Sequence, residues 1–133
     1  VKFSFKLNIG SPKKYLPNNK LIKWAKNNNG KVKIFHDCKN AAKNSDVIFT
    51  DKVISMNDKV NKTKKLNDFK KFKVTQKVMS YAKKDAIFLH CLPRGSEVSD
   101  EVFLGKQSKV WQQALNRIYV QKSILLYCFD KLR

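Results

Sequence analysis

The sequence predicts an α/β domain in which helices flank a parallel sheet. Short apolar segments alternate along the chain with segments whose apolar residues recur at helical spacing. That alternation is typical of parallel strands joined by crossover helices. Hydrophobic residues make up 42% of the 133 residues, which is enough for the packed core of one domain.

The elements are assigned in chain order from these local patterns. Strict apolar–polar alternation over 1–9 by itself predicts a half-buried strand. The last helix is apolar almost all round at 124–129, which indicates a buried terminus that packs on another domain. Helices are expected at 19–29, 39–44, 62–72, 76–83, 100–104 and 113–131, and strands at 31–35, 47–50, 86–89 and 109–111.

The formal net charge of +19 is compatible with phosphate binding. Only three of the 29 basic residues are arginines, however, whereas proteins that read bases favour the bidentate arginine fork. The densest basic segment, 59–73, carries Leu66, Phe69 and Phe72 on one face, as a solvated amphipathic helix does. The charge therefore predicts a solvated surface and no nucleic-acid partner, with a basic nucleic-acid-binding module as an alternative.

Cysteine usage predicts neither disulfides nor a zinc site, because Cys38, Cys91 and Cys128 stand far apart without a CxxC pair. Reduced thiols favour a cytoplasmic protein. His36 and Asp37 beside Cys38 offer too few ligands for a metal site. The chain has no GxGxxG or P-loop pattern and no apolar run of about 18 residues, so no cofactor, nucleotide or membrane partner is predicted.

Two predicted strands run into residues that carry chemistry. The strand at 86–89 leads into His90-Cys91-Leu92-Pro93-Arg94, and the strand at 47–50 leads into Asp51. Ligands of open parallel sheets bind outside the carboxyl ends of the strands. The sequence therefore predicts that Asp51 and Cys91 converge on one small-molecule site.

The segment around Cys91, with Glu97 to Val102 and the later Asn116-Arg117, resembles the C-terminal, ornithine-binding half of ornithine carbamoyltransferase. The pattern Asp51-x-x-x-Ser55-Met56 is similar to that family's ornithine-binding loop. The resemblance spans nearly the whole chain. It implies a Rossmann-like second domain of the carbamoyltransferase fold that lacks its first strand, with the strand near the start confined to 6–9 after the end of a helix.

The resemblance implies transfer of a carbamoyl group from carbamoyl phosphate to the δ-amino group of L-ornithine, which gives citrulline and phosphate. It implies catalytic roles for Cys91, Asp51 and Arg117. Ornithine binding is implied for Asp51, Ser55 and the backbone of Met56. Carbamoyl phosphate binding is implied for Cys91, the Leu92 carbonyl and Arg117. No metal or organic cofactor is implied.

These residues have simpler interpretations as well. A buried core thiol is the alternative interpretation of Cys91, since free cysteine is among the most buried residue types, but its place in a turn just past a strand favours the functional one. Asp51 is compatible with a helix cap, Ser55 with a loop hydroxyl and Met56 with packing alone. His90 is as compatible with a structural role as with ligand contact.

The chain departs from the family pattern at three places. Val53 stands where the family usually has Trp, Asn57 where it has Gly, and Gln113-Ala114-Leu115-Asn116 where it has Glu-Ala-Glu-Asn. Asn tolerates a positive φ better than most residues, so Asn57 is expected to preserve the loop. Val53 and Leu115 predict altered packing of the substrate loop and altered affinity.

Residues 1–133 are expected to form an N-terminally incomplete ornithine-binding domain, without the family's carbamoyl phosphate-binding domain and its Ser-Thr-Arg-Thr loop. The resemblance implies that the intact enzyme is a cytoplasmic homotrimer of arginine biosynthesis and that this chain alone is inactive. Alternative acceptors are putrescine, N-acetylornithine and aspartate. Ser55-Met56 argues against the diamine, and Cys91 argues against aspartate, whose enzymes resemble His-Pro-x-x-Pro there.

Overall fold

A computed structural model of the chain describes residues 4–55 and 61–131. Strands and helices alternate along these residues, as predicted. The strands are β1 (Lys6–Gly10), β2 (Lys31–Phe35), β3 (Val47–Thr50) and β4 (Ile87–His90). The helices are α1 (Asn19–Asn27), α2 (Cys38–Ala42), α3 (Lys62–Phe69), which a 3-10 turn at Lys70–Phe72 continues, α4 (Gln76–Met79), α5 (Asp100–Phe103) and α6 (Val110–Lys131).

The strands pair in parallel, which confirms the predicted α/β class. β1 pairs with β2 along its whole length. β3 pairs with β4 from Val47 opposite Ile87 to Thr50 opposite His90. Parallel partners need a crossover between them, and α1 supplies it between β1 and β2.

The two strand pairs are separated by a groove. Consecutive residues of β1 and of β3, together with residues of α2, line a cavity of about 980 Å³. A cavity above one face of a sheet would be lined by alternate residues, so this lining places the groove at the strand edges. Among the described residues, β1 and β3 each pair with one strand only. One more parallel strand between these edges would join the pairs into one sheet, in agreement with the expectation of a sheet that lacks its first strand.

The main core lies around β4. Phe88 and Val110 are fully buried, and Val98 is 2% exposed. Val102 and Phe103 of α5 belong to the same cluster of buried side chains. Burial of one such side chain contributes about 1.5–3 kcal/mol, so this cluster holds β4 and the turn that follows it against α5 and α6.

The predicted strand at 109–111 is wrong, because α6 begins at Val110. Only Ser108 forms an isolated parallel bridge with Phe88, and the Lys109 N–H donates to the Phe88 carbonyl over 2.9 Å. Val110, the first residue of α6, is fully buried in the core beside β4. A buried helix start has the same apolar composition as a short buried strand, which explains the error.

Two further boundaries differ from the local patterns. α4 ends at Met79 rather than at position 83, because residues 80–83 form turns. β1 begins at Lys6, as the resemblance implied, and not at the start of the alternating pattern. Residues 4 and 5 are irregular rather than helical, and residues 1–3 lie outside the described part of the chain.

The lysine-rich segment forms the amphipathic helix that its pattern predicted. Phe69 of α3 packs against Tyr15 with ring centroids 5.0 Å apart and against Phe72 at 6.1 Å. The Tyr15 hydroxyl donates to Asp68 over 3.1 Å. The lysines therefore lie around the solvated side of a helix that docks through its aromatic residues.

Helix α6 presents a broad apolar surface. Trp111, Ile118, Tyr119 and Phe129 are each more than half exposed. A continuous exposed apolar surface is typical of a face that another domain or chain covers. None of the helices within 4–55 and 61–131 combines the length and the apolar composition that crossing a bilayer would need.

Candidate active site at the ends of two strands

The structure brings Asp51 and Cys91 into direct contact. Thr50 and His90 lie opposite each other at the carboxyl ends of β3 and β4, so the residues that follow them leave the sheet side by side. The Cys91 thiol donates to Asp51 Oδ1 with an Sγ–Oδ1 distance of 2.9 Å. The Lys52 backbone N–H donates to the same carboxylate oxygen over 2.7 Å.

The contact shifts the pKa values of Asp51 and Cys91 in opposite directions. The hydrogen bond from the Cys91 thiol, followed by that from the Lys52 N–H, holds the pKa of Asp51 below its ordinary value. The same hydrogen bond to Asp51, with burial, raises the pKa of Cys91 above its ordinary value. At neutral pH the resting site therefore contains a thiol donor and a carboxylate acceptor.

A buried carboxylate, that of Glu97, contacts both the end of β4 and the turn that follows it. Glu97 Oε1 lies 2.8 Å from His90 Nε2, and both side chains are almost completely buried. The Gly95 N–H donates to the same oxygen, and His90 Nδ1 contacts the Cys91 carbonyl. The Leu92–Pro93 peptide bond is cis. His90 thus has the structural role that the sequence left open.

Burial by itself raises the pKa of Glu97, but hydrogen bonds lower it by more. They come from the Gly95 N–H, from the N–H of Glu97 and from the His90 ring, and the resulting pKa lies below the ordinary value. The buried side chain is therefore a carboxylate that accepts hydrogen bonds at neutral pH.

The two arginines that lie in the family's motifs, Arg94 and Arg117, have different surroundings. The Arg94 guanidinium donates to the Asp100 carboxylate, and its central carbon lies 4.7 Å from the centre of the Phe103 ring. Arg94 therefore ties the turn to α5. Arg117 is exposed on α6, one helical turn beyond Gln113.

Gln113 connects α6 to the end of β4, because its Oε1 accepts the His90 backbone N–H over 3.1 Å. Arg117 lies on the same side of the helix, about 6 Å further along its axis. The two residues therefore lie on the side of α6 that faces the strand end.

The remaining predicted ligand-binding residues follow the same two strands in sequence. The side chain of Leu92 is 45% exposed, on the turn directly after Cys91. Ser55 is exposed at the end of the irregular segment that follows Asp51. The alternative role of Asp51 as a helix cap is wrong, since residues 51–55 are not helical and α3 is capped by Asn61. Met56 lies outside the described residues.

The sequence did not predict the contacts that two residues of the site make. Glu97 belongs to the motif after Cys91 and Gln113 is a departure from the family pattern, but neither observation indicated a contact with His90. A carboxylate at the end of a short turn is ordinarily solvated, so its burial could not be read from spacing. The apolar run at 86–89 does indicate that a strand leads directly into His90.

The polar atoms of His36, Asp37 and Cys38 are engaged within the protein. His36 Nδ1 lies 3.0 Å from the Ser11 carbonyl, Asp37 accepts the Asn40 N–H as the N-cap of α2, and the Cys38 thiol donates to the Lys71 carbonyl. Within the described ranges, no group of three or more His, Cys, Asp or Glu is arranged to hold a metal ion.

Comparison with known proteins gives the same assignment over nearly the whole chain. Residues 1–128 match the family model for the aspartate/ornithine carbamoyltransferase Asp/Orn binding domain. The chain is 46% identical over 129 residues to an ornithine carbamoyltransferase of Helicobacter hepaticus, covering 92% of this chain and 39% of the relative. It is 38% identical over 130 residues to the Agrobacterium fabrum ornithine carbamoyltransferase, covering 96% and 42%.

Solved structures agree with the fold. The anabolic ornithine carbamoyltransferase of Campylobacter jejuni superposes with a TM-score of 0.83 at 38% identity, over 97% of this chain and 44% of that one. The Pyrococcus furiosus ornithine carbamoyltransferase superposes with a TM-score of 0.79 at 37% identity, over 90% and 40%. The chain spans about two fifths of the length of these relatives. It belongs to the aspartate/ornithine carbamoyltransferase family, of which it carries the Asp/Orn binding domain.

Proposed function

We propose that this chain is the ornithine-binding part of an ornithine carbamoyltransferase. The whole enzyme would transfer the carbamoyl group of carbamoyl phosphate to the δ-amino group of L-ornithine, which gives L-citrulline and phosphate. The contact between the Cys91 thiol and the Asp51 carboxylate, 2.9 Å long at the ends of paired strands, is the observation that supports this most strongly.

The reaction makes a specific demand on the site. An alkylamine with a pKa of about 10.4 must lose a proton before it attacks, which costs roughly 4 kcal/mol at pH 7.4. Cys91 rests as a thiol because Asp51 raises its pKa. We therefore assign Cys91 the role of orienting the neutral δ-amine, rather than that of receiving its proton.

Asp51 and Ser55 would hold the ornithine α-amino group, and the backbone of Met56 would meet the α-carboxylate. A carboxylate that faces an ammonium group at about 4 Å gains roughly 4 kcal/mol at an effective dielectric of 20, before desolvation is subtracted. The lowered pKa of Asp51 supports this role, because the side chain stays charged throughout the neutral range. An amino acid would therefore be preferred to a plain diamine.

The carbamoyl phosphate end involves Cys91, Leu92 and Arg117. The Leu92 carbonyl would accept from the carbamoyl NH2. The Arg117 guanidinium would bind the phosphoryl oxygens and stabilise the charge that develops in the transition state. The exposure of Arg117 on the side of α6 that faces the strand end leaves its planar fork accessible for this role.

The remaining proposals concern the whole protein. Its substrates would be L-ornithine and carbamoyl phosphate, with no cofactor, no nucleic acid and no membrane involved. We place it in arginine biosynthesis in the cytoplasm, as a homotrimer. The carbamoyl phosphate-binding domain would be contributed outside residues 1–133, so the chain alone is expected to form no citrulline.

A chimera tests the proposal directly. In it, residues 1–133 replace the matching segment of the Campylobacter jejuni enzyme, and citrulline formation is measured with L-ornithine. We expect activity that Cys91→Ser lowers strongly, while Cys128→Ser, which changes an exposed thiol on α6, leaves it unchanged. A folded chimera that carbamoylates putrescine, N-acetylornithine or aspartate in preference to ornithine would refute the assignment. Citrulline formation by the isolated chain would refute its expected inactivity.

A further inference from the structure

The turn that carries Cys91 and Leu92 is attached at both ends to one carboxylate oxygen. His90 Nε2, just before the turn, lies 2.8 Å from Glu97 Oε1. The Gly95 N–H, just after the turn, donates to the same oxygen. The four residues from Cys91 to Arg94 therefore form a loop whose two ends contact the same side chain, that of Glu97.

The backbone that carries the carboxylate is anchored in the core. The Glu97 carbonyl accepts the Val74 N–H over 2.9 Å, and Val74 and Val98 form a parallel bridge. Val74 and Val98 are both buried in the main core. The backbone of Glu97 is thus part of the packed interior, whereas the turn above it is partly exposed.

The His90 ring transmits the position of Glu97 to Cys91. His90 Nδ1 contacts the Cys91 carbonyl, which can only accept, so this nitrogen carries a hydrogen. The ring is also packed edge-on against Phe103, with centroids 6.2 Å apart. A ring that is bonded at both nitrogens and packed at its edge has one orientation, and that orientation places the backbone of Cys91.

The space around Gly95 also shows that the Glu97 carboxylate lies close to the backbone of the turn. A Cβ at position 95 would lie 2.7 Å from Glu97 Oε2. No glycine of the described chain has a positive φ, so the backbone conformation does not require glycine there. A side chain at this position would instead have to displace the buried Glu97 carboxylate.

We propose that Glu97 is a positioning residue, which through His90 and Gly95 holds the Cys91–Arg94 turn so that the Cys91 thiol meets the Asp51 carboxylate. We call these three residues the carboxylate clamp. The consequence for catalysis rests on the proposed function, because it concerns the thiol assigned to orient the amine. The contact that the clamp maintains needs no substrate and is measured separately.

The charged groups around the clamp are few. From β3, Asp51 faces the turn, and within the turn Arg94 is already paired with Asp100 of α5. From α6, the neutral Gln113 faces the His90 backbone. Glu97 and His90 also act on Cys91 and Asp51 through their own charges, so the coupling between Cys91 and Asp51 must be measured in a cycle that subtracts the direct effect of changing Glu97.

The test is a double-mutant cycle on the alkylation rate of Cys91 in the full chain. Asp51→Asn is expected to raise this rate about threefold when the thiol and the carboxylate are in contact. In a Glu97→Gln background, Asp51→Asn is expected to lose most of this threefold effect, because the turn no longer holds the thiol in place. Val102→Ala, a cavity in the same core, is the control for general destabilisation and should retain the threefold effect.

A second variant covers the case in which Glu97→Gln does not fold. Gly95→Ala leaves both partners present but displaces the carboxylate, and it should abolish the Asp51 effect in the same way. A full threefold effect in either folded clamp variant overturns the proposal, and so does its equal loss in Val102→Ala. Because no ornithine is present, the result is independent of whether the chimera forms citrulline.

Discussion

Replacement of Asp51 by Asn should make the Cys91 thiol more reactive. In the native site the thiolate would form 2.9 Å from a carboxylate oxygen. Two unit charges at that separation repel each other by about 1.4 kcal/mol even at the dielectric constant of water, which is the appropriate limit for this exposed pair. Removal of the carboxylate charge should therefore raise the thiolate population at a given pH about tenfold.

The rate of alkylation rises by less than the thiolate population. A thiolate of lower basicity is also a weaker nucleophile, with a Brønsted coefficient of about 0.4–0.5, which offsets roughly a factor of three. The net expectation is an increase of about threefold in the iodoacetamide rate of Cys91 at pH 7.5. Site-resolved mass spectrometry of the modified peptides measures it, with the exposed Cys128 as an internal reference.

A matched control removes the same charge from the other end of the same strand. Asp46 immediately precedes β3, as Asp51 immediately follows it, and it pairs with Lys83. About five residues of extended chain separate the two carboxylates, roughly 16 Å. Asp46→Asn should therefore leave the Cys91 rate unchanged. An equal effect of both variants, or a slower rate in Asp51→Asn, would refute the reasoning.

Three other expectations concern stability and charge. Phe88→Ala should lower the free energy of unfolding by about 3–5 kcal/mol, and Phe5→Ala, at 58% exposure, by less than about 0.5 kcal/mol, as measured by urea denaturation. Because hydrogen bonds lower the pKa of Glu97 from 4.5, its contribution to stability is present above pH 4.5 and is lost as the pH falls below it. Glu97→Gln should therefore make the free energy of unfolding fall less steeply below pH 4.5, and an unchanged pH dependence would contradict this. Any binding to random-sequence DNA at low salt should vanish at physiological salt, and tight sequence-selective binding there would favour the nucleic-acid-binding alternative.

The sequence was sufficient to predict the parallel α/β fold, because buried strands and amphipathic helices differ in apolar period. It also predicted that Asp51 and Cys91 would meet, since carboxyl ends of adjacent parallel strands emerge at one edge. The distance of 2.9 Å between their side chains agrees with that expectation. This prediction needed only the position of each residue at the end of its strand, which can be read from the local sequence.

Features that depend on burial in three dimensions were not predictable. The pairing of Glu97 with His90 requires the turn to fold back over a core that Val74 completes from a distant segment. The apolar residues Val110 and Trp111 were interpreted as a strand because a short apolar run has no distinguishable period. The pairing of Arg94 with Asp100 also depends on how the turn meets α5.

The central claim is that Asp51 and Cys91 lie around the two ends of one diamino acid. The most direct test is protection of Cys91 from iodoacetamide by L-ornithine in the chimeric enzyme with inorganic phosphate present. We predict that L-ornithine slows modification of Cys91 but not of Cys128, that putrescine protects much less, and that Asp51→Asn abolishes the protection. Modification of Cys91 at the same rate with and without saturating L-ornithine, in a chimera that is folded, would contradict the claim.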